Sequence, residues 1–173
     1  MIADTVTTGV DFDTSSTTTV ASDSTGALVL EYSGATAVGG NGHVWIRRST
    51  DGGATWSASR TELTPASGAG NASFPADAAT ATGAFTATWQ EGRGGAWNTY
   101  ARTTTDGGAT WSAEVRISDA SSGAPYKTAA GYGGPYGDYS SITVTSAGKA
   151  IGTWGEGVSF STGPGGIWVN PQI

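Results

Sequence analysis

Positions 49–58 read Ser-Thr-Asp-Gly-Gly-Ala-Thr-Trp-Ser-Ala, and the same ten residues return at 104–113 with a single change, Thr for Ser at the first place. A near-identical copy 55 residues further on means that the chain is assembled from repeated units. Units of this size cannot bury a hydrophobic face alone and must stack on one another, which restricts the fold to repeat architectures.

The flanks repeat with the decapeptide. A run that opens with Gly and then alternates to an aromatic residue occupies 26–32, 83–89 and 148–154, ending in Tyr32, Trp89 and Trp154. A second run follows each, at 43–47, 98–102 and 166–170. Alternation after a turn glycine predicts strands. Three units result, 1–65, 66–118 and 119–173. Each is expected to hold a first strand (near 17–22, 74–80 and 139–145), a second ending at the aromatic, and a third entering the decapeptide. The first two add a fourth strand near 58–64 and 113–118, and the segment 2–10 is a candidate to supply the fourth strand missing from the third. Four short antiparallel strands at intervals of about 50 residues is the sequence form of a β-propeller blade.

The decapeptide reads as structural. The carboxylates of Asp51 and Asp106 are placed to accept N–H groups of their own turn. Gly53 and Gly108 supply positive φ, and Trp56 and Trp111 anchor the hairpin. A calcium loop is the alternative, but one carboxylate is too few for a cation that takes six to eight oxygens. The pattern Ser/Thr-x-Asp-x-Gly-x-Thr-Trp resembles the Asp box, or bacterial neuraminidase repeat. The resemblance implies an all-β, sialidase-like β-propeller, of which this chain supplies about three four-stranded blades where the sialidases close six. Such a half ring is expected to be a piece of a longer protein or to be completed by a second copy in a homodimer. Activity is implied less than fold, because Asp-box proteins are not all enzymes.

Composition removes several classes of function. The 28 Gly and few Lys and Glu oppose long helices, while the seven Trp and six Tyr oppose disorder. Only eight Lys and Arg against a net charge of −6 argue against nucleic acid and anionic membrane as partners. With no Cys, one His (His43) and the isolated pair Asp11 and Asp13, no metal or other cofactor is expected. The opening residues lack the regions of a signal peptide. The Thr-, Ser- and Gly-rich, Lys-poor composition nevertheless favours a secreted or cell-surface bacterial protein whose leader has been removed.

Blade geometry puts the boxes at one end and the loops 33–42, 90–97 and 155–166, with the links 65–73 and 119–138, at the other. The resemblance assigns a ligand site to that second end. It carries Glu91, Arg93, Trp97 and Glu156, and the long second link adds Tyr126, Tyr132, Tyr136 and Asp138. Tyrosines in a Gly-rich link suit stacking on sugar rings, or simple packing onto the blade. Tyr139 and the sequence to Glu156 resemble the sialidase segment that carries a nucleophilic Tyr; Glu91 would then serve as its base. The Arg-Ile-Pro motif of sialidases is absent, and Arg47 and Arg102, equivalent in the repeat, fit scaffold better than a carboxylate clamp. Three readings follow: a non-catalytic module binding glycan (sialylated or not) or protein, an exo-α-sialidase or other glycoside hydrolase, and a self-assembling structural half-propeller.

Overall fold

A computed structural model describes residues 17–64, 70–93, 96–118, 127–128, 131–132, 140–156 and 166–170. They form an all-β fold. The first unit is a four-stranded antiparallel sheet in the order β1 (Thr18–Ser22), β2 (Leu28–Ala35), β3 (Gly42–Ser49) and β4 (Thr61–Glu62). The second repeats it with β5 (Asn71–Ala81), β6 (Ala84–Arg93), β7 (Ala96–Thr104) and β8 (Val115–Arg116). In the link, β9 (Lys127–Thr128) and β10 (Gly131–Tyr132) make a small hairpin that the sequence did not announce. The third unit is β11 (Ser140–Val144), β12 (Ala150–Glu156) and β13 (Gly166–Asn170), three strands in order. The proposed strand donor 2–10 lies outside the described residues.

The first strands pack side by side, β1 against β5 and β5 against β11, so they form the inner wall around which the sheets fan out. Strand alternation then sorts each sheet into two faces. From the first blade, Val29, Val44, Ile46 and Leu63 meet Phe85, Ala87, Trp89 and Tyr100 of the second in one buried cluster. Fully burying side chains of this size contributes about 1.5–3 kcal/mol each, and this apolar seam is what makes two blades one body.

Each inner hairpin turns on the glycine that opened its repeat. Gly26, Gly83 and Gly148 have φ of 86°, 70° and 73°, a region closed to most side chains. Within the first turn the Asp23 carboxylate accepts Thr25 N at 2.8 Å, Thr25 Oγ1 at 2.8 Å and Ala27 N at 3.0 Å. Its other oxygen crosses the seam to Gly83 N at 2.8 Å. That bond, then burial acting against it, then the Thr25 contacts bring the Asp23 pKa to about 2.

Both boxes close in the same way. Asp51 accepts Thr55 N at 2.8 Å and Thr55 Oγ1 at 2.6 Å, while Asp106 accepts Thr110 N at 2.9 Å and Thr110 Oγ1 at 2.5 Å. Ser49 and Thr104 hydroxyls donate back to the same carboxylates and accept Gly53 N and Gly108 N. Trp56 and Trp111 donate Nε1 to the carbonyls of Gly53 and Gly108, at 3.1 and 3.2 Å. Every carboxylate oxygen in the boxes is therefore occupied from within the hairpin.

Candidate functional site

The end opposite the boxes is made by the β2–β3 and β6–β7 hairpins, the start of β5, the start of β11 and the end of β12. Residues 90–97, read from the sequence as a loop, are mostly strand: β6 continues to Arg93 and β7 begins at Ala96. Glu91, Arg93 and Trp97 are consequently held by a sheet rather than carried on a flexible loop.

Glu91 is fully buried and saturated with donors. Oε1 accepts Gly70 N at 3.0 Å, and Oε2 accepts Trp89 Nε1 at 3.1 Å and Arg93 Nη2 at 2.6 Å. Arg93 also forks onto Glu114, at 2.7 and 2.6 Å, and its guanidinium lies 4.0 Å over the Tyr100 ring. Burial works against the Arg93 charge, but the hydrogen bonds to Glu114 and Glu91 more than offset it and hold its pKa above the ordinary value. Burial raises the Tyr100 phenol; the Arg93 charge works against it, and Glu91 and Glu114 add to it. The first blade has a counterpart in which Arg60 covers Trp45 at 3.9 Å. Trp97 is buried with its indole against Gly92, where an added Cβ would come within 2.9 Å of the ring. Gly70 passes the Gly92 carbonyl so closely that a Cβ there would overlap its oxygen.

Nearer the inner wall, β5 carries a bulge between Ser73 and Ala76. Phe74, ahead of Pro75, sits at φ 57°, an uncommon and strained place for a bulky residue. Its carbonyl accepts Ser140 Oγ at 2.7 Å, which fixes the entry of β11 on the second blade. Farther out, His43 Nδ1 and Glu62 Oε1 are 2.6 Å apart, and Thr64 Oγ1 donates to the same oxygen at 2.9 Å.

Glu62, Glu91 and Glu114 are thus all engaged by donors inside the fold. Among the described residues no cluster of three or more His, Cys, Asp or Glu could hold a metal. Tyr126, Tyr136, Asp138 and Tyr139 lie outside the described residues, and of Tyr132 and Glu156 only the strand positions are described. The repeat-equivalent arginines differ: Arg47 Nη1 donates to the Ser57 carbonyl of its box, while Arg102 Nε is buried without a partner among the described residues. Sequence reasoning passed over Asp23, Glu31, Asp77 and Glu114. Glu31 had a visible signal, since the same place in the other two repeats holds Thr88 and Thr153.

No family model matches the chain, and no curated protein does. Solved structures do. A Hadza microbial sialidase superposes with a TM-score of 0.57 at 12% identity, over 80% of this chain and 32% of its own. The endo-arabinase from Bacteroides thetaiotaomicron VPI-5482 superposes with a TM-score of 0.52 at 12% identity, over 90% of this chain and 55% of its own. The chain thus spans about a third of one and about half of the other. At this identity the likeness is one of fold, and the fold is that of a partial β-propeller similar to those of a sialidase and an endo-arabinase.

Proposed function

We propose that this chain is a non-catalytic propeller module that binds glycan at the end opposite its Asp boxes. The observation that carries the reading is the commitment of Glu62, Glu91 and Glu114 to internal donors. A glycosidase needs two carboxyl groups free to reach the scissile bond, and these three are spent on holding blades. The fold likeness to a sialidase and an endo-arabinase, and the tyrosines of the second link, favour a saccharide over other ligands. A second copy closing the ring belongs to the same proposal, and a native mass of one chain would remove that part.

The test is titration with a sialylated trisaccharide and with arabino-oligosaccharides, followed by intrinsic tryptophan fluorescence, with product analysis on the same samples. Saturable binding without new reducing ends is the expected result. Turnover that disappears in Tyr139→Phe would replace this reading with the hydrolase one, which rests on the sialidase-like sequence from Tyr139 to Glu156.

A further inference from the structure

The seam between the first two blades contains a carboxyl group that nothing among the described residues employs. Glu31 lies in the middle of β2, in register with Thr19 on β1 and Ile46 on β3. It is fully buried, and among the described residues neither carboxyl oxygen has a hydrogen-bond partner. The other blades have threonine there, and the threonine is satisfied at home. Thr88 Oγ1 donates to the carbonyl of its cross-strand neighbour Ala76 at 3.0 Å, and Thr153 Oγ1 to that of Ser141 at 3.4 Å. Glu31 breaks this rule, and its own cross-strand neighbour Thr19 is turned away to another acid. That acid is Asp77 on β5, which accepts Thr19 Oγ1 at 2.8 Å and Ala21 N at 3.1 Å. One buried aspartate thus grips the inner strand of the neighbouring blade, beside a second buried acid with no partner.

We propose that Glu31 and Asp77 act as a proton-holding pair across the blade seam, so that the joint is tight when the pair is protonated and loosens when it ionises. Two like charges cannot both be carried cheaply in a buried, low-dielectric place, and the strand that must give is β1, held by Asp77. The surrounding charges do not offer relief. β1 contains no charged residue. On β3, alternation puts Arg48 on the Glu31 side, but its chain runs against the second box at Gly108. His43, Arg47 and Glu62 belong to the opposite face, by their register with Gly34, Leu30 and Trp45. Asp23 is engaged at Gly83. On the second blade, Glu91 and Glu114 are tied to Arg93, and Arg102 stands two strands from Asp77, in register with Ala87. The direction of titration agrees: burial first and Asp77 second raise the Glu31 pKa well above its ordinary value, and burial raises Asp77 to about 6. Two acids and one hydroxyl do not amount to the oxygen set of a divalent cation, so a proton is the ligand the geometry suits.

The sign follows from linkage. Both acids are stronger in the unfolded chain than in the fold, so the folded state holds extra protons and loses stability as pH rises above about 4. For Asp77 the loss levels off above about 6, and for Glu31 higher still. The experiment is urea unfolding of the whole chain between pH 4 and pH 8, for the native sequence, Glu31→Thr and Glu31→Gln. The native chain is expected to lose on the order of a hundredfold in folding equilibrium over this range from Asp77 alone, since two pKa units are a factor of a hundred. Both variants should flatten the curve and exceed the native chain at pH 8. As a check that needs no variant, protection of the Ala21 amide against hydrogen exchange should fall between pH 5 and pH 8. A flat native curve, unchanged slopes in both variants, or constant Ala21 protection would overturn the proposal. So would rescue of the native chain at pH 8 by millimolar Ca²⁺, which would make the seam a cation site.

Discussion

Replacing Arg93 by methionine keeps an aliphatic chain over Tyr100 and removes the charge that Glu91 and Glu114 share. Glu91 would remain fully buried with Gly70 N and Trp89 Nε1 as its donors, and would lose the cation that faces it. Breaking a buried ion pair from one side typically costs 3–5 kcal/mol. Arg93 is about 29% exposed, and that solvent access places the cost near the lower end, about 3 kcal/mol. The partner substitution sharpens the test. Glu91→Gln keeps a carbonyl oxygen to accept Trp89 or Gly70 and carries no charge to neutralise. The double variant Glu91→Gln/Arg93→Met should therefore be more stable than Arg93→Met alone by roughly 1–2 kcal/mol. Urea midpoints at pH 7 with matched slopes supply the numbers. If Arg93→Met lies within about 0.5 kcal/mol of the native chain, the size of an ordinary surface change, Glu91 is not held by this network. The argument that its carboxylate is committed to the scaffold then fails.

Two further outcomes follow from the boxes. Gly107 and Gly108 both have positive φ, but a Cβ at Gly107 meets nothing within 4 Å, whereas at Gly108 it comes 3.2 Å from Val29 Cγ2 across the seam. Gly107→Ala should cost about 1–2 kcal/mol for the backbone alone, and Gly108→Ala measurably more by urea unfolding; equal costs would mean that the box does not press on the first blade. The Thr55 hydroxyl, then the Thr55 amide, then Ser49 bring the Asp51 pKa from 3.8 to about 2, and the Thr110 contacts lower Asp106 likewise. A depressed folded pKa stabilises above the unfolded value and is lost as pH falls through the folded one. Thermal unfolding should therefore show an acid limb between about pH 4 and pH 2, shallower in Thr55→Val; an unchanged limb in that variant would refute the assignment.

The strands and hairpins were legible because the repeat shows its period three times and glycine marks each inner turn. The boxes were legible because their bonds are local, each donor lying within four residues of its acceptor. The segment around Glu91 was misread for a physical reason. Gly92, Gly94 and Gly95 look like loop residues, yet Gly92 is needed in a strand because Trp97 and Gly70 approach it too closely for any side chain. The β5 bulge was hidden in the same way: Pro75 signals a break, and the strand instead continues to Asn71 through a left-handed Phe74. Glu31 and Asp77 were invisible as a pair because they are 46 positions apart and meet only when blades stack. No period within a strand reports what the next sheet will bring.

Since each box is satisfied within its own hairpin, the blades must be joined by other groups, and the two seams are joined differently. Between the first and second blades the polar links include Asp23 to Gly83, Asp77 to Thr19 and Ala21, Ser24 to Thr82, and Asn71 to Gly42, the last at 2.7 Å. Between the second and third, the described polar link is the Ser140 hydroxyl on the Phe74 carbonyl, and Gly148 lies so near the Thr80 carbonyl that a Cβ there would come within 3.0 Å of it. The first seam contains groups that titrate, whereas the polar link described at the second is a hydroxyl on a carbonyl. Among the described residues, a change of pH therefore acts on the first joint. Asp23, with its pKa at about 2, fastens the inner turns at every pH above that, while the Asp77 grip farther along β1 weakens as pH rises through about 6. The first blade is thus expected to pivot about its box-side turn rather than detach, opening the seam toward the end where the candidate ligand site lies.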